Sequence, residues 1–165
     1  MKRRDALKHI GLTAGFVVAT PTLVSLLQSC SSNTETWTPI FLTEEQGLIL
    51  KNIVDVILPK TDTPSESEVN FPEFIDKYFD EILDIEDLDK TKAGFSALVT
   101  LLKTDYKNNL NKLSEDNYKD LLDNHMLLNQ PQTSKSEPMT VSDVLHSIKW
   151  MSINAYKISE TVGET

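Results

Sequence analysis

Cys30 is the only cysteine in this 165-residue chain, and it closes the run Leu26-Leu27-Gln28-Ser29-Cys30. A cysteine that follows small residues at the end of an apolar stretch resembles a bacterial lipobox. There the sulfur takes a lipid and the cysteine becomes the new N-terminus. The competing role for a lone cysteine is a small buried apolar side chain. One cysteine excludes an intrachain disulfide and a paired-thiolate metal site. Upstream, Lys2, Arg3 and Arg4 form a basic head, and residues 10–27 are uncharged and mostly apolar. Basic, then apolar, then small is the order of a secretory signal, to be set aside from the fold. The hexad Arg3-Arg4-Asp5-Ala6-Leu7-Lys8 resembles the twin-arginine signal, whose export route carries proteins already folded. Gly11, Gly15 and Pro21 make the apolar stretch a poor permanent membrane helix. It is also at the short end of the roughly 20 apolar residues that a span requires.

The remaining chemistry is sparse. Five glycines leave little room for a phosphate-binding loop. His125 and His146 are the only histidines beyond the signal segment, and neither has a partner at metal-ligand spacing. His146 and Trp150 stand four residues apart on one expected helix, a spacing that serves packing more often than a site. Asp55, Asp62 and Asp76 flank a turn-rich loop; paired carboxylates can do acid–base work, but capping and turn formation compete for the same residues. Thr61, Asp62 and Thr63 can all bond to nearby backbone. No catalytic, cofactor-binding or metal-ligating residue is expected in this chain.

These residues need elements to position them. Thr43 and Gln46 have capping-box spacing; Leu50, Ile53, Val54, Ile57 and Leu58 then share a helical face, and Pro59 stops the helix. Pro72 suits the first turn of a second helix, with Phe71, Phe74, Ile75, Tyr78, Phe79, Ile82 and Leu83 as its stripe. Asp80, Glu81, Asp84, Glu86 and Asp87 lie around or beyond that stripe as a solvated face. A third helix is expected over 91–113, a fourth after Ser114 carrying Tyr118, Leu121 and Leu122, and a last one capped by Thr140 and Asp143. Gly163 can serve as its C-terminal cap. Trp37 and Phe41 are placed to staple the first helix to the bundle, or else to rest on a partner or a lipid surface. No period-two strand pattern is evident. The expected fold is all-α, an irregular bundle of about five helices after the signal segment. Residues 1–29 are assigned to the signal, 30–40 to a polar tether and 41–165 to the helical domain.

The whole chain carries 16 basic and 25 acidic residues, a formal charge of −9. Without residues 1–29, which hold four basic residues and one acidic residue, 12 and 24 remain, near −12. Such a surface repels nucleic acid and anionic lipid head groups alike, so acyl chains would have to do any anchoring.

Several segments resemble one family. They are Phe41-Leu42-Thr43-Glu44-Glu45-Gln46; Ile57-Leu58-Pro59-Lys60-Thr61-Asp62-Thr63-Pro64; Val69 with Phe71-Pro72-Glu73-Phe74-Ile75-Asp76; and Tyr156, Ser159-Glu160 and Gly163. Together they resemble the small subunit, subunit 3, of the membrane-bound gluconate 2-dehydrogenase family. Ser65-Glu66 departs from the small Gly-Ala pair usual there. The resemblance implies a non-catalytic subunit that accompanies a large flavoprotein dehydrogenase of the glucose–methanol–choline type, often with a cytochrome c subunit. FAD would then reside in the flavoprotein, which typically lacks a signal of its own, and this chain would supply the twin-arginine signal and the lipid. Thr61, Asp62, Thr63, Pro64, Phe74, Tyr156, Ser159 and Glu160 become the candidate partner-binding residues, because the resemblance is densest around them. Cys30 is the candidate lipidation site, and Arg3 and Arg4 the export signal. The implied location is the periplasmic face of a bacterial membrane, inner or outer. The alternative reading is a stand-alone exported lipoprotein acting as a binding or structural module.

Overall fold

The computed structural model describes residues 21–30, 37–59, 69–107, 109–126 and 139–163. Among them are six α-helices and no strand. They are α1 (Pro21–Ser29), α2 (Glu44–Ile57), α3 (Phe71–Ile82), α4 (Ile85–Asp105), α5 (Glu115–Met126) and α6 (Val141–Gly163). A single 3-10 turn, Leu110–Lys112, lies between α4 and α5. The all-α expectation therefore holds, with five helices beyond Cys30. None of the described helices is long and apolar enough to cross a membrane.

The starts of α2, α5 and α6 follow the caps read from the sequence, and α3 has a cap, Asn70, that the sequence reading did not single out. Thr43 and Gln46 form a reciprocal capping box on α2, which satisfies two backbone N–H groups that the first turn leaves unpaired. Asn70 caps α3, its side chain accepting from the Glu73 N–H, with Phe71 and Pro72 in the first turn. Ser114 and Asn117 cap α5 reciprocally. Thr140 and Asp143 do the same on α6. At the other end of α2, Leu58 leaves the helical region just before Pro59, as a residue preceding proline is pushed to do.

One boundary differs from the expectation. The helix expected over 91–113 instead occupies Ile85–Asp105. It begins earlier because Asp84 takes the extended N-cap conformation. It ends earlier because Lys107 adopts a left-handed φ of 53°, a conformation that costs a non-glycine residue about 1 kcal/mol and breaks the helical run. Leu110 is then returned to the core through the 3-10 turn. Asp80, Glu81, Glu86 and Asp87 are exposed, as a solvated face should be.

Helix α6 is the axis of the molecule and packs against all five other helices. Val144, Leu145, Ile148, Met151, Ser152, Ala155, Ile158 and Ser159 are buried along it. The run from Ser152 through Ala155 to Ser159 keeps side chains short where neighbours approach. Each serine hydroxyl is satisfied within the helix, Ser152 donating to the Ile148 carbonyl at 2.7 Å and Ser159 to the Tyr156 carbonyl at 2.7 Å. Around this axis Ile49, Leu50, Ile53, Ile75, Phe95, Leu98 and Leu102 complete the core, each contributing roughly 1.5–3 kcal/mol by burial. Phe79 joins two sides of the bundle, its ring 5.5 Å from Phe41 and 5.8 Å from Phe95. Gly94 is required where α4 meets α6, since a Cβ there would stand 2.5 Å from Val144 Cγ2.

Candidate functional site

Two neighbouring residues of α3, Asp76 and Lys77, bind the chain at residues 40–42 and at Ser29. Asp76 is fully buried. Its Oδ2 accepts from the Ile40 N–H at 2.6 Å, and its Oδ1 accepts from the Phe41 and Leu42 N–H groups at 3.2 and 2.9 Å. Burial pushes this carboxyl above the ordinary carboxylate value, and Asp80 adds to the rise; the three N–H donors act in the opposite sense. The local sequence explains the arrangement. Residues 40–42 precede α2 in non-helical backbone, so their N–H groups have no helical acceptor and require one from elsewhere. Asp76 is thus a structural carboxylate. Asp55 is half-exposed and pairs with Lys51 at 3.6 Å, and Asp62 lies outside the described residues.

The Asp76 clamp brings two aromatic rings into place. Phe41 packs on Phe79, with Lys92 Nζ 5.2 Å from its ring centroid. Trp37 and Pro39 lie over α2 at Gly47, where a Cβ would collide with the Pro39 ring and come 3.4 Å from the Trp37 ring. Trp37 therefore lies on the first helix of the bundle, while Phe41 packs against α3 and α4. Ile40, between them, is 64% exposed.

Lys77 makes the contact at Ser29. Its ammonium pairs with Glu73 at 2.9 Å and donates to the Ser29 carbonyl at 3.2 Å. Helix α1, ending at Ser29, lies against α3 and α6. Leu26, Leu27 and Cys30 point into the core, and Cys30 is only 5% exposed. The Cys30 thiol donates to the Leu26 carbonyl at 3.3 Å. Burial pushes the thiol pKa up to about 12, against the opposing pull of Lys77. In this arrangement the candidate lipidation residue is packed, protonated and shielded.

The expected partner-binding residues are distributed unevenly. Phe74 is 3% exposed and Ser159 is buried, so both position surfaces from below and neither presents one. Tyr156 is half-buried, its ring 6.4 Å from Phe71. Thr61, Asp62, Thr63 and Pro64, together with Arg3 and Arg4, lie outside the described residues, as does the side chain of Glu160. The sequence reading did not single out Trp150 as a surface residue. Its indole is 55% exposed on the outer side of α6, beside exposed His146, Lys149 and Lys157. No acidic residue occurs between Asp143 and Glu160. In a chain this acidic, that gap was a legible signal.

His146 is engaged within its own helix. Its Nδ1 lies 2.8 Å from the Ser142 carbonyl, one turn back on the same helix. Ser142 in turn donates to the His125 carbonyl at 2.9 Å, tying the end of α5 to the start of α6. No group of three or more His, Cys, Asp or Glu side chains among the described residues could hold a metal ion.

No curated protein and no solved structure matches the chain. Residues 44–165, from the start of α2 to the last residue of the sequence, match the family described as gluconate 2-dehydrogenase subunit 3. The match spans well over half of the chain, and the chain belongs to the gluconate 2-dehydrogenase subunit 3 family.

Proposed function

We propose that this protein is the small, non-catalytic subunit of an exported FAD-dependent dehydrogenase acting on a sugar or sugar acid, which it escorts through twin-arginine export and holds at the membrane through a lipid on Cys30. The observation that carries this reading is the family match over the whole bundle, α2 to α6. Membership in a subunit family points to an accessory role in a dehydrogenase complex. The fold is consistent with a module whose work is contact: its buried carboxylate, Asp76, binds backbone N–H groups, and His146 bonds within its own helix. FAD is inserted in the cytoplasm, so the holoenzyme must cross folded, and a partner that bears the signal supplies the address.

The exposed α6 face around Trp150 is the best candidate for the contact with the flavoprotein. Tryptophan is among the residues that most often dominate binding energy at interfaces. Lys149 and Lys157 flank it in a stretch, residues 144–159, that contains no acidic residue.

Changing Arg3 and Arg4 together to lysine should strand the flavoprotein in the cytoplasm, read by fractionation and dehydrogenase activity; normal export of the flavoprotein in that variant would remove the escort role. Affinity purification of the tagged protein from its host should bring down a large partner with flavin absorption near about 370 and 450 nm. A colourless single chain would favour a stand-alone lipoprotein.

A further inference from the structure

The structure also bears on when Cys30 can be modified. We infer that α1 is an autoinhibitory latch: in the folded precursor it keeps both the Cys30 thiol and the Ser29–Cys30 peptide bond closed until it is drawn off α3 and α6. This inference rests on the lipid-anchor reading of Cys30.

Two independent contacts carry it. The first concerns the sulfur. Lipidation forms a bond from the Cys30 sulfur to a glyceryl carbon of a phospholipid. That carbon's bond to the head-group phosphate breaks, the phosphate leaves with the electron pair, and the thiol proton passes to a base of the modifying enzyme. The nucleophile is the thiolate, and the sulfur must be reached from outside. In the folded chain Cys30 sits in the core beside Leu26 and Leu27, its S–H turned to the Leu26 carbonyl at 3.3 Å.

The second contact concerns the peptide bond. Cleavage by water at Ser29–Cys30 requires a protease to take the Ser29 carbonyl into its own site. Here that carbonyl accepts from Lys77 Nζ at 3.2 Å, and Lys77 also lies 3.4 Å from Ser29 Oγ. Lys77 is held in turn by Glu73 at 2.9 Å. The sulfur is thus enclosed in the core, while the Ser29 carbonyl is engaged by Lys77 in a contact at the exposed edge of α1.

The face of α1 that carries Cys30 into the core is the apolar one. Leu26, Leu27 and Cys30 are buried, whereas Thr22, Ser25, Gln28 and Ser29 are exposed. Lipid offers the same apolar face an equivalent environment, so arrival at a membrane supplies a competing site for α1. Asp76 continues to hold residues 40–42 whether or not α1 is docked, because its three bonds involve no α1 residue. Release of the latch therefore frees residue 30 and leaves the bundle closed.

Cys30 is the only thiol, which makes the test direct. The full-length precursor is purified and reacted with a maleimide, with and without urea. The native thiol should label more slowly than the denatured one by about 100-fold, as expected for a group exposed only by local opening. Leu27→Glu, which puts a charge into the α1 contact, should bring the native rate to within about tenfold of the denatured rate while the helical circular dichroism of the bundle persists. Lys77→Met should speed proteolysis at Ser29–Cys30 more than it speeds labelling. Native labelling as fast as denatured labelling would overturn the latch, as would a Leu27→Glu protein that stays folded and unreactive. Metabolic labelling of wild-type Cys30 with a radioactive fatty acid separates the two readings. A slow native thiol in a chain never acylated in its host would remove the lipid anchor, and with it the inhibitory role of α1, and leave α1 only as a helix that shields Cys30.

Discussion

Asp76 shows how one side chain can set the relation between two segments. Its two oxygens take three backbone N–H groups that have no other acceptor. Removing it leaves buried donors unpaired, at about 1–3 kcal/mol each. Asp76→Ala should therefore lower unfolding free energy by about 3 kcal/mol or more in urea titrations, and Asp76→Asn, which keeps one acceptor oxygen, by clearly less. Tyr118 gives a prediction in pH. It is buried, and burial raises its hydroxyl pKa above 10.0, partly countered by its bond to Asn52 at 3.2 Å. Above that value the unfolded chain loses the proton first, so the native state binds more protons than the unfolded state and stability falls as pH rises. Tyr78 acts in the same direction. Stability should be constant from this source below about pH 9 and decline above pH 10. Tyr118→Phe should cost about 1 kcal/mol at neutral pH through the lost bond, yet show a shallower alkaline decline in thermal melts run across pH.

At the scale of elements, the caps of α2, α5 and α6 and the apolar spacings of α2, α3, α5 and α6 were readable because each is a local pattern: a cap bonds within three residues, and a helical stripe repeats within a turn. The limits of α4 were not. They depend on the extended backbone of Asp84 and the left-handed Lys107, and neither residue type announces such a conformation. The close approach at Gly47 was hidden for another reason, since it depends on where Trp37 and Pro39 are laid down. Gly47→Ala tests it. Alanine gains about 1 kcal/mol of helix propensity, but the new Cβ runs into the Pro39 ring. The net expectation is a loss of about 1–3 kcal/mol from overpacking, largely recovered when Pro39→Ala is added, as a double-mutant cycle would measure. Thr43→Ala should cost about 1 kcal/mol by removing half of the capping box.

For the whole molecule, the arrangement around α6 separates support from surface. Phe74 and Ser159, drawn from the segments that resemble the family, belong to the core. Trp150 is exposed on the outer side of the same central helix. On the proposed contact, Trp150→Ala should weaken binding to the flavoprotein by about tenfold or more and leave the melting temperature of the isolated subunit nearly unchanged, as measured by titration and calorimetry. Unaltered affinity would move the contact to another face.

The order of residues alone determined the all-α class, most helix starts and the likeness to a subunit family, because these rest on local chemistry and short spacings. It also supplied the basic, apolar and small succession that ends in Cys30. Tertiary structure decided what the long-range partners do. It turned Asp76 from a member of a possible acid–base set into a clamp for residues 40–42, 34 to 36 positions away. It set Lys77 against Ser29, 48 positions away. The Asp76 role arises because packing removes water from a charge and leaves distant backbone groups as its partners.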